Sequence, residues 1–582
     1  MREGLLSFSH THPRGNGLNL PNRIQTTHVA LAVVLVLAAG LRLWGITDRG
    51  VYDYDEAWYL LEAKTLHYTG DYLLSKVGLS DADTSLGLKA YVKQRGTVPM
   101  TSVKPGHTIL TFLGMVVVGT GDYAGLGVSA LSGTLTVLLV FLLGRQIGGT
   151  RLGLASALIL AVSPLHVHYS RSMYSQANGV FLATLGAYLW TNYQTKEYTK
   201  PWRLLGAGLA IGFAFTCHFN LAYVTVGFIA VEIVYAHLKR HPIYERITRV
   251  GILGFGMAFP AFCFETGGQI AKKLGLFPKD YPTYIGQFVH RQSLAEDLVL
   301  STRQIPFWTD RLTTTEGILV AALFIVGTCV LIAGSRRPSL TEVTLIGMAL
   351  MALAPPSLLV VERLYDILRN YAIALPVIAL ISGTGFTFIA AECAKWRRLD
   401  STLAVVCILI ILPTSYGRMV DILDLRSGYR DASAELVSRL DAEDARLATH
   451  PPSAWPIWYF YLSNEYDDAP QQVRDRIHFY PEETQEGDFE LVDVKSYYRA
   501  VLLKDYQALD RYARLRSSGS FLSLHNPAAT IPEAFFEAGG DKAEAVREAL
   551  AHRYTASQHI EIYDLRQGPH QAKVWTDNGD KG

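Results

Sequence analysis

The feature that most constrains this chain is a series of long apolar runs, near 28–46, 126–144, 151–165, 177–193, 203–217, 221–238, 249–265, 316–334, 340–361, 371–391 and 401–416. A bilayer core of about 30 Å is crossed by about 20 apolar residues as a helix. Runs of this length predict an all-α polytopic membrane protein of about eleven transmembrane helices. The stretch 203–238 is too long for one helix, and His218 and Asn220 mark the expected turn. Composition points the same way. Charged residues make up 18% of the 582-residue chain and apolar residues 49%, where a soluble domain carries about 25% charged.

Orientation follows from the basic loops, which favour the cytoplasm. These are Arg145 to Arg151, Lys196 to Arg203, Lys239 to Arg249, Arg336-Arg337 and Lys395 to Arg398. With all five inside, residues 1–27 form a cytoplasmic tail, 28–416 the membrane domain, and 417–582 an exported domain. Outside loops then fall at 48–125, 166–176, 218–220, 266–315 and 362–370. The apolar run Pro105 to Gly119 is too short to span, and counting it would place the basic loops outside. It is expected to be a re-entrant or interfacial helix. The first run resembles a signal peptide in position. Its length, and Leu41-Arg42-Leu43-Trp44 where small residues would mark cleavage, favour a retained span.

Beyond residue 416 the texture turns polar. Helix-like stretches at Asp431–Arg446 and Lys542–Arg553 accompany alternating runs such as His559-Ile-Glu-Ile-Tyr-Asp564, which predict a small α/β domain. A net charge of +1 gives no reason to expect a nucleic-acid partner. No P-loop and no G-x-G-x-x-G fingerprint is present, so a cytosolic nucleotide engine is not expected. Cys217, Cys263, Cys329, Cys393 and Cys407 lie in or beside apolar runs at no metal-ligand spacing and are read as buried thiols.

Chemistry concentrates in the first outside loop. Asp53-Tyr54-Asp55-Glu56 crowds three carboxylates beside the first span, followed by Trp58-Tyr59, Gly70-Asp71-Tyr72 and Lys104-Pro105-Gly106-His107. Such crowding is costly without cationic partners or a task. A solvated acidic loop with aromatic membrane anchors would also account for it. Elsewhere stand Ser163-Pro164, Tyr169-Ser170-Arg171 and Arg369-Asn-Tyr-Ala-Ile-Ala-Leu-Pro376.

In their order and in their shared side of the membrane, these motifs resemble the GT-C glycosyltransferases that use polyprenyl-phosphate sugars. Within that group the chain is most similar to protein O-mannosyltransferases and lipid A aminoarabinose transferases, chiefly over residues 28–240. The resemblance implies transfer of a sugar, with inversion, from a polyprenyl-phosphate donor to a lipid, glycan or protein acceptor. The setting would be the outer face of the plasma (inner) membrane, among membrane lipids. It makes Asp55 the base that deprotonates the acceptor and Glu56 the neighbour that orients loop or acceptor. Lys104, Arg369 and Arg171 would hold the departing phosphate. Tyr59, His107 and Tyr371 would line the substrate site. From the residues alone, Lys104 and Arg369 could equally snorkel from helix ends to lipid headgroups. Mannosyl and aminoarabinose members work without a metal, so no cofactor is expected; a divalent ion, if used, would draw on Asp53 and Asp55. One departure is visible. Ser172-Met-Tyr-Ser-Gln176-Ala-Asn178 lacks the carboxylate that many relatives carry there.

Two other classes fit less well. A flippase or transporter of a lipid-linked sugar needs polar residues at mid-membrane depth, and Glu232 is the main one here. A scaffold for the C-terminal domain leaves the outer-loop motifs unexplained.

Overall fold

The computed structural model describes residues 20–82, 84–101, 103–195, 200–293, 298–300, 309, 312–334, 346–348, 359–361, 371–394, 419–420, 422–439, 446–450, 454–465, 478–480, 488–493, 514–515, 522–525, 559–565 and 573–575. Its helices in chain order are α1 (Leu20–Leu43), α2 (Ile46–Arg49), α3 (Tyr54–Lys76), α4 (Leu88–Gln94), α5 (Pro105–Val118), α6 (Asp122–Ala161), α7 (Pro164–Ser170) and α8 (Gln176–Thr195). They continue with α9 (Pro201–Cys217), α10 (Ala222–Leu238), α11 (Ile243–Lys273), α12 (Tyr284–Ser293), α13 (Ile318–Gly334), α14 (Leu375–Ala394), α15 (Tyr429–Arg439) and α16 (Trp455–Glu465).

Among the described residues five helical segments are long and apolar enough to cross a membrane: Thr26–Arg49, Asp122–Ala161, Phe219–Leu238, Ile243–Lys273 and Ala372–Cys393. The 40 residues of α6 contain two of the expected spans. Gly148 and Gly149 leave helical geometry, Gly149 at φ 87°, and the chain folds back on itself. The two arms then touch so closely that a Cβ on Gly144 would lie 2.9 Å from the Gly153 Cα. Helix α5 has 14 residues and Pro105 in its first turn, a length of about 21 Å that falls short of a bilayer core.

The core follows lipid rather than water logic. Val29, Val33 and Val36 on α1 and Phe255, Phe259 and Phe262 on α11 are exposed, as lipid-facing side chains would be. This corrects the reading of the cysteines. Cys217 is buried, whereas Cys263 and Cys329 sit on the apolar exterior, and Cys407 lies outside the described residues. Buried charges described in the helical body are met by polar groups. Glu232 accepts Arg249 Nε at 2.5 Å, Trp190 Nε1 at 2.7 Å and Gln194 Nε2 at 2.7 Å, tying α8, α10 and α11. Arg42 donates to Leu160 and Ala161 carbonyls at the end of α6 and meets His166 Nδ1 at 2.6 Å. A cation placed there satisfies helix-terminal carbonyls.

Several expectations change in detail. The segment 48–125, expected as a loop apart from a short helix at Pro105 to Gly119, holds α3 and α4 as well as α5. Helix α11 runs to Lys273, into the expected loop 266–315, which also contains α12. The end of the expected span 340–361 is a strand: β2 (Leu359–Val361) pairs antiparallel with β1 (Leu298–Leu300). The expected span 401–416 and the stretch Lys542–Arg553 lie outside the described residues.

Among the described residues of the C-terminal part six strands form one mixed sheet: β3 (Arg446–His450), β4 (His478–Tyr480), β5 (Phe489–Asp493), β6 (Leu522–His525), β7 (His559–Asp564) and β8 (Lys573–Trp575). Their order is β4-β3-β5-β7-β6-β8. Strand β3 is parallel to β4 and β5, and β7 is antiparallel to β5 and β6. The β5–β7 register sets Leu491 opposite Ile562, both fully buried. These residues share one apolar cluster with Trp458 and Phe460 of α16 and with Ala57, Leu60 and Leu61 of α3. Burial at about 25 cal/mol per Å² therefore fastens the C-terminal part to α3.

Candidate active site

Helix α3 starts because its own side chains cap it. Asp53, in extended backbone, accepts the Asp55 amide at 3.1 Å, and Glu56 reaches back to the Asp53 amide at 3.2 Å. This is a reciprocal capping box. Glu56 also accepts the Tyr52 amide at 2.7 Å, the Met173 amide at 2.8 Å and Arg49 Nη2 at 3.0 Å, all in the interior. Two of the three clustered carboxylates thus build the helix and seat it on the turn after α7. Asp55 lies between them in the first turn, half-buried.

Lys104 is the N-cap of α5 and is buried, its ammonium 4.9 Å from the centroid of the Tyr59 ring. Tyr59 is one turn beyond Asp55 on α3, and residues four apart share a helix face. Lys104 thus sits over Tyr59, and Asp55 precedes Tyr59 by one turn on the same helix. The other side of Tyr59 meets His107 edge-on, ring centroids 5.0 Å apart. His107 Nδ1 lies 2.8 Å from Asn178 Nδ2, and Asn178 Oδ1 accepts Ser132 Oγ at 2.6 Å, so α5, α6 and α8 all hold the stack.

Not every expected residue joins this group. Arg171 is buried with Nη1 on the carbonyls of Leu41, Arg42 and Trp44 and Nη2 on that of Leu423. It ties the end of α1 to the start of the C-terminal part. Tyr371 is buried in the main helical core with Tyr169 and Tyr174, at the entry to α14. Arg369 lies outside the described residues. Gln176 Nε2 meets His218 Nε2 at 3.0 Å in the interior. Among the described residues no three His, Cys, Asp or Glu side chains converge on a cation position.

One residue at the site escaped the sequence reading. Glu62, two turns from Asp55 on α3, is buried and accepts the Thr101 amide at 2.6 Å and the Thr101 hydroxyl at 2.5 Å. Trp58 Nε1 at 3.2 Å and Thr108 Oγ1 at 3.2 Å complete its shell. Burial raises its carboxyl above the usual range, against the downward pull of hydrogen bonds from Thr101, Thr108 and Trp58. The spacing Asp55, Tyr59, Glu62 sets it on the same face of α3.

A half-buried carboxylate can take a proton from a nucleophile, and a buried ammonium can hold an anionic oxygen. Residues 102–262 match the sequence model of the dolichyl-phosphate-mannose-protein mannosyltransferase family. No curated protein matches the chain in sequence. Among solved structures, apo ArnT from Cupriavidus metallidurans superposes with TM-score 0.52 at 14% identity, covering 82% of this chain and 95% of that one. ArnT bound to undecaprenyl phosphate gives 0.50 at 13%, covering 83% and 95%. The archaeal oligosaccharyltransferase AglB from Archaeoglobus fulgidus, in complex with an inhibitory peptide and a dolichol-phosphate, gives 0.51 at 9%, covering 82% and 71%.

Proposed function

We propose that this chain, which shares its fold with ArnT and AglB, is an inverting membrane transferase of the GT-C kind that moves a sugar from a polyprenyl phosphate to an acceptor outside the cytoplasm. The observation that carries this reading is the buried Lys104 ammonium over the Tyr59 ring, one helical turn along α3 from Asp55. The family match over 102–262 supports a lipid-phosphate sugar as donor, as does a structure of the same fold bound to undecaprenyl phosphate. The acceptor is a protein, lipid or glycan.

In this mechanism an acceptor hydroxyl or amine attacks the anomeric carbon while Asp55 takes its proton. The bond from that carbon to the phosphate oxygen breaks, and the electron pair leaves with the lipid phosphate. Lys104 stabilises the charge that develops there, and Arg369 is a second cation for the same group. Tyr59 and His107 hold Lys104 in place, and Tyr371 lines the substrate side. Glu56 orients the loop by capping α3, and Arg171 braces α1 against the C-terminal part. No metal is required. About eleven spans place residues 1–27 in the cytoplasm and 417–582 outside the inner membrane. The flippase reading loses its main residue, because Glu232 is engaged by Arg249, Trp190 and Gln194.

The test is mass spectrometry of the polyprenyl-phosphate pool in cells lacking the protein, complemented with wild type or Asp55→Ala at equal expression. A glycosylated polyprenyl phosphate should accumulate with Asp55→Ala and fall with wild type, and its mass identifies the sugar. Identical pools, with no change in any lipid-linked sugar, would overturn the transferase reading.

A further inference from the structure

We propose that Glu62 is a positioning residue that latches the Lys104-bearing segment to the Asp55-bearing helix and so fixes where the lipid phosphate is held. The proposal rests on the transferase reading for the identity of the ligand, and on geometry for everything else. Glu62 Oε1 accepts both the amide and the hydroxyl of Thr101, three residues before Lys104, at 2.6 and 2.5 Å. Its Oε2 lies 3.2 Å from Thr108 Oγ1, and that hydroxyl is also 3.3 Å from the Lys104 carbonyl oxygen. One carboxylate thus grips the segment on both sides of Lys104. Trp58 Nε1 is shared between Glu62 Oε1 (3.2 Å) and Thr101 Oγ1 (3.1 Å), locking the grip to α3 itself.

The latch extends one step further. The Thr101 carbonyl oxygen accepts Gln287 Nε2 of α12, and the Met100 amide donates to Leu276 O at 3.0 Å. The segment between α11 and α12 therefore rests on the residue that Glu62 holds. Donors on a buried carboxylate constrain it strongly, since losing the acceptor strands each of them in the interior.

The chemistry allows a test that separates holding from reacting. Glutamine keeps the latch: its carbonyl oxygen accepts Thr101 and Trp58, and its amide donates to Thr108, whose hydroxyl turns to the Lys104 carbonyl. Methionine has similar volume and can do neither. Purified full-length wild type, Glu62→Gln and Glu62→Met would be titrated with undecaprenyl phosphate, and amide hydrogen exchange followed over residues 101–108.

Glu62→Met should weaken undecaprenyl phosphate binding about ten-fold or more and speed exchange at 101–108, while Glu62→Gln restores both. If Gln fails as badly as Met in binding while its exchange stays slow, the charge itself acts, and the positioning role is overturned. Unchanged binding and exchange in Glu62→Met would overturn it too. Should Glu62→Met not fold, Thr108→Val removes one arm of the latch, and faster exchange at 101–108 with weaker binding is again the expected result. Exchange also reads the latch independently of the ligand. If wild type binds no undecaprenyl phosphate, the transferase reading falls, whereas slow exchange in wild type and Gln with fast exchange in Met still upholds the latch.

Discussion

At the scale of single residues, Asp53, Asp55 and Glu56 are neighbours with different work. Glu56 and Arg49 are fully buried against each other at 3.0 Å, and removing one partner of a buried pair leaves an uncompensated charge. Glu56→Ala should therefore cost about 3–5 kcal/mol of stability, read as a large fall in melting temperature in detergent. Asp55→Asn should melt close to wild type while losing turnover by about a hundred-fold or more. If Asp55→Asn melts as low as Glu56→Ala, Asp55 is structural and the base lies elsewhere. The spacing Asp53-x-x-Glu56 was legible as a helix start from the chain alone, because an acid followed three residues later by Glu is a capping signature. Arg171 stood out by motif, but a guanidinium near helix ends has carbonyls competing for it, and here four take its donors. Glu62 carried no motif at all, since its partners at Thr101 and Thr108 meet it only through the fold.

At the scale of elements, apolar length marks the five described helices long enough to span, and glycine placement decides how helices pack. A Cβ on Gly208 of α9 would lie 2.5 Å from the Leu253 carbonyl oxygen and 3.0 Å from the Gly256 Cα of α11. A Cβ on Gly256 would meet the Leu205 carbonyl oxygen at 2.8 Å. Helix association in lipid relies on such small-residue contacts, because apolar tails provide no hydrophobic drive between helices. Gly256→Val should force α9 and α11 apart and lower thermal stability, whereas Gly254→Val, at a position with nothing within 4 Å, should be tolerated. Equal melting temperatures for the two variants would show that this crossing is not close-packed. Apolar runs do not encode such crossings. They give length, while the pairing of Gly208 with Gly256 depends on which faces the rest of the bundle leaves available. Gly148-Gly149 is the exception: the basic loop Arg145 to Arg151 already marked where α6 turns back.

At the scale of the molecule, the polar C-terminal part is fastened to the helix that carries the proposed base. Tyr461 of α16 donates to Asp122 Oδ2 at 2.6 Å and accepts the Val51 amide at 2.6 Å, two residues before the capping Asp53. Arg430 of α15 holds the other Asp122 oxygen at 2.5 Å, and Lys64 of α3 donates to Asn464 Oδ1 at 2.6 Å. Trp455 meets Trp58 edge-on with centroids 5.7 Å apart, and Trp58 is the residue that also donates to Glu62. Composition marked a boundary near residue 417, yet the contacts cross it, because α3 leaves Trp58, Leu61 and Lys64 to be covered by α16. Tyr461→Phe removes one hydroxyl and strands the buried Val51 amide and an Asp122 oxygen. The expected cost is about 1–3 kcal/mol, measured as a drop in melting temperature of the whole chain. A second consequence separates docking from tethering. If the C-terminal part were an independent appendage, Tyr461→Phe would leave hydrogen exchange at residues 51–58 unchanged. Because the Val51 amide ends on Tyr461, exchange there should quicken, and quickening that reaches Trp58 would mean the C-terminal part steadies the start of α3 from outside the membrane domain.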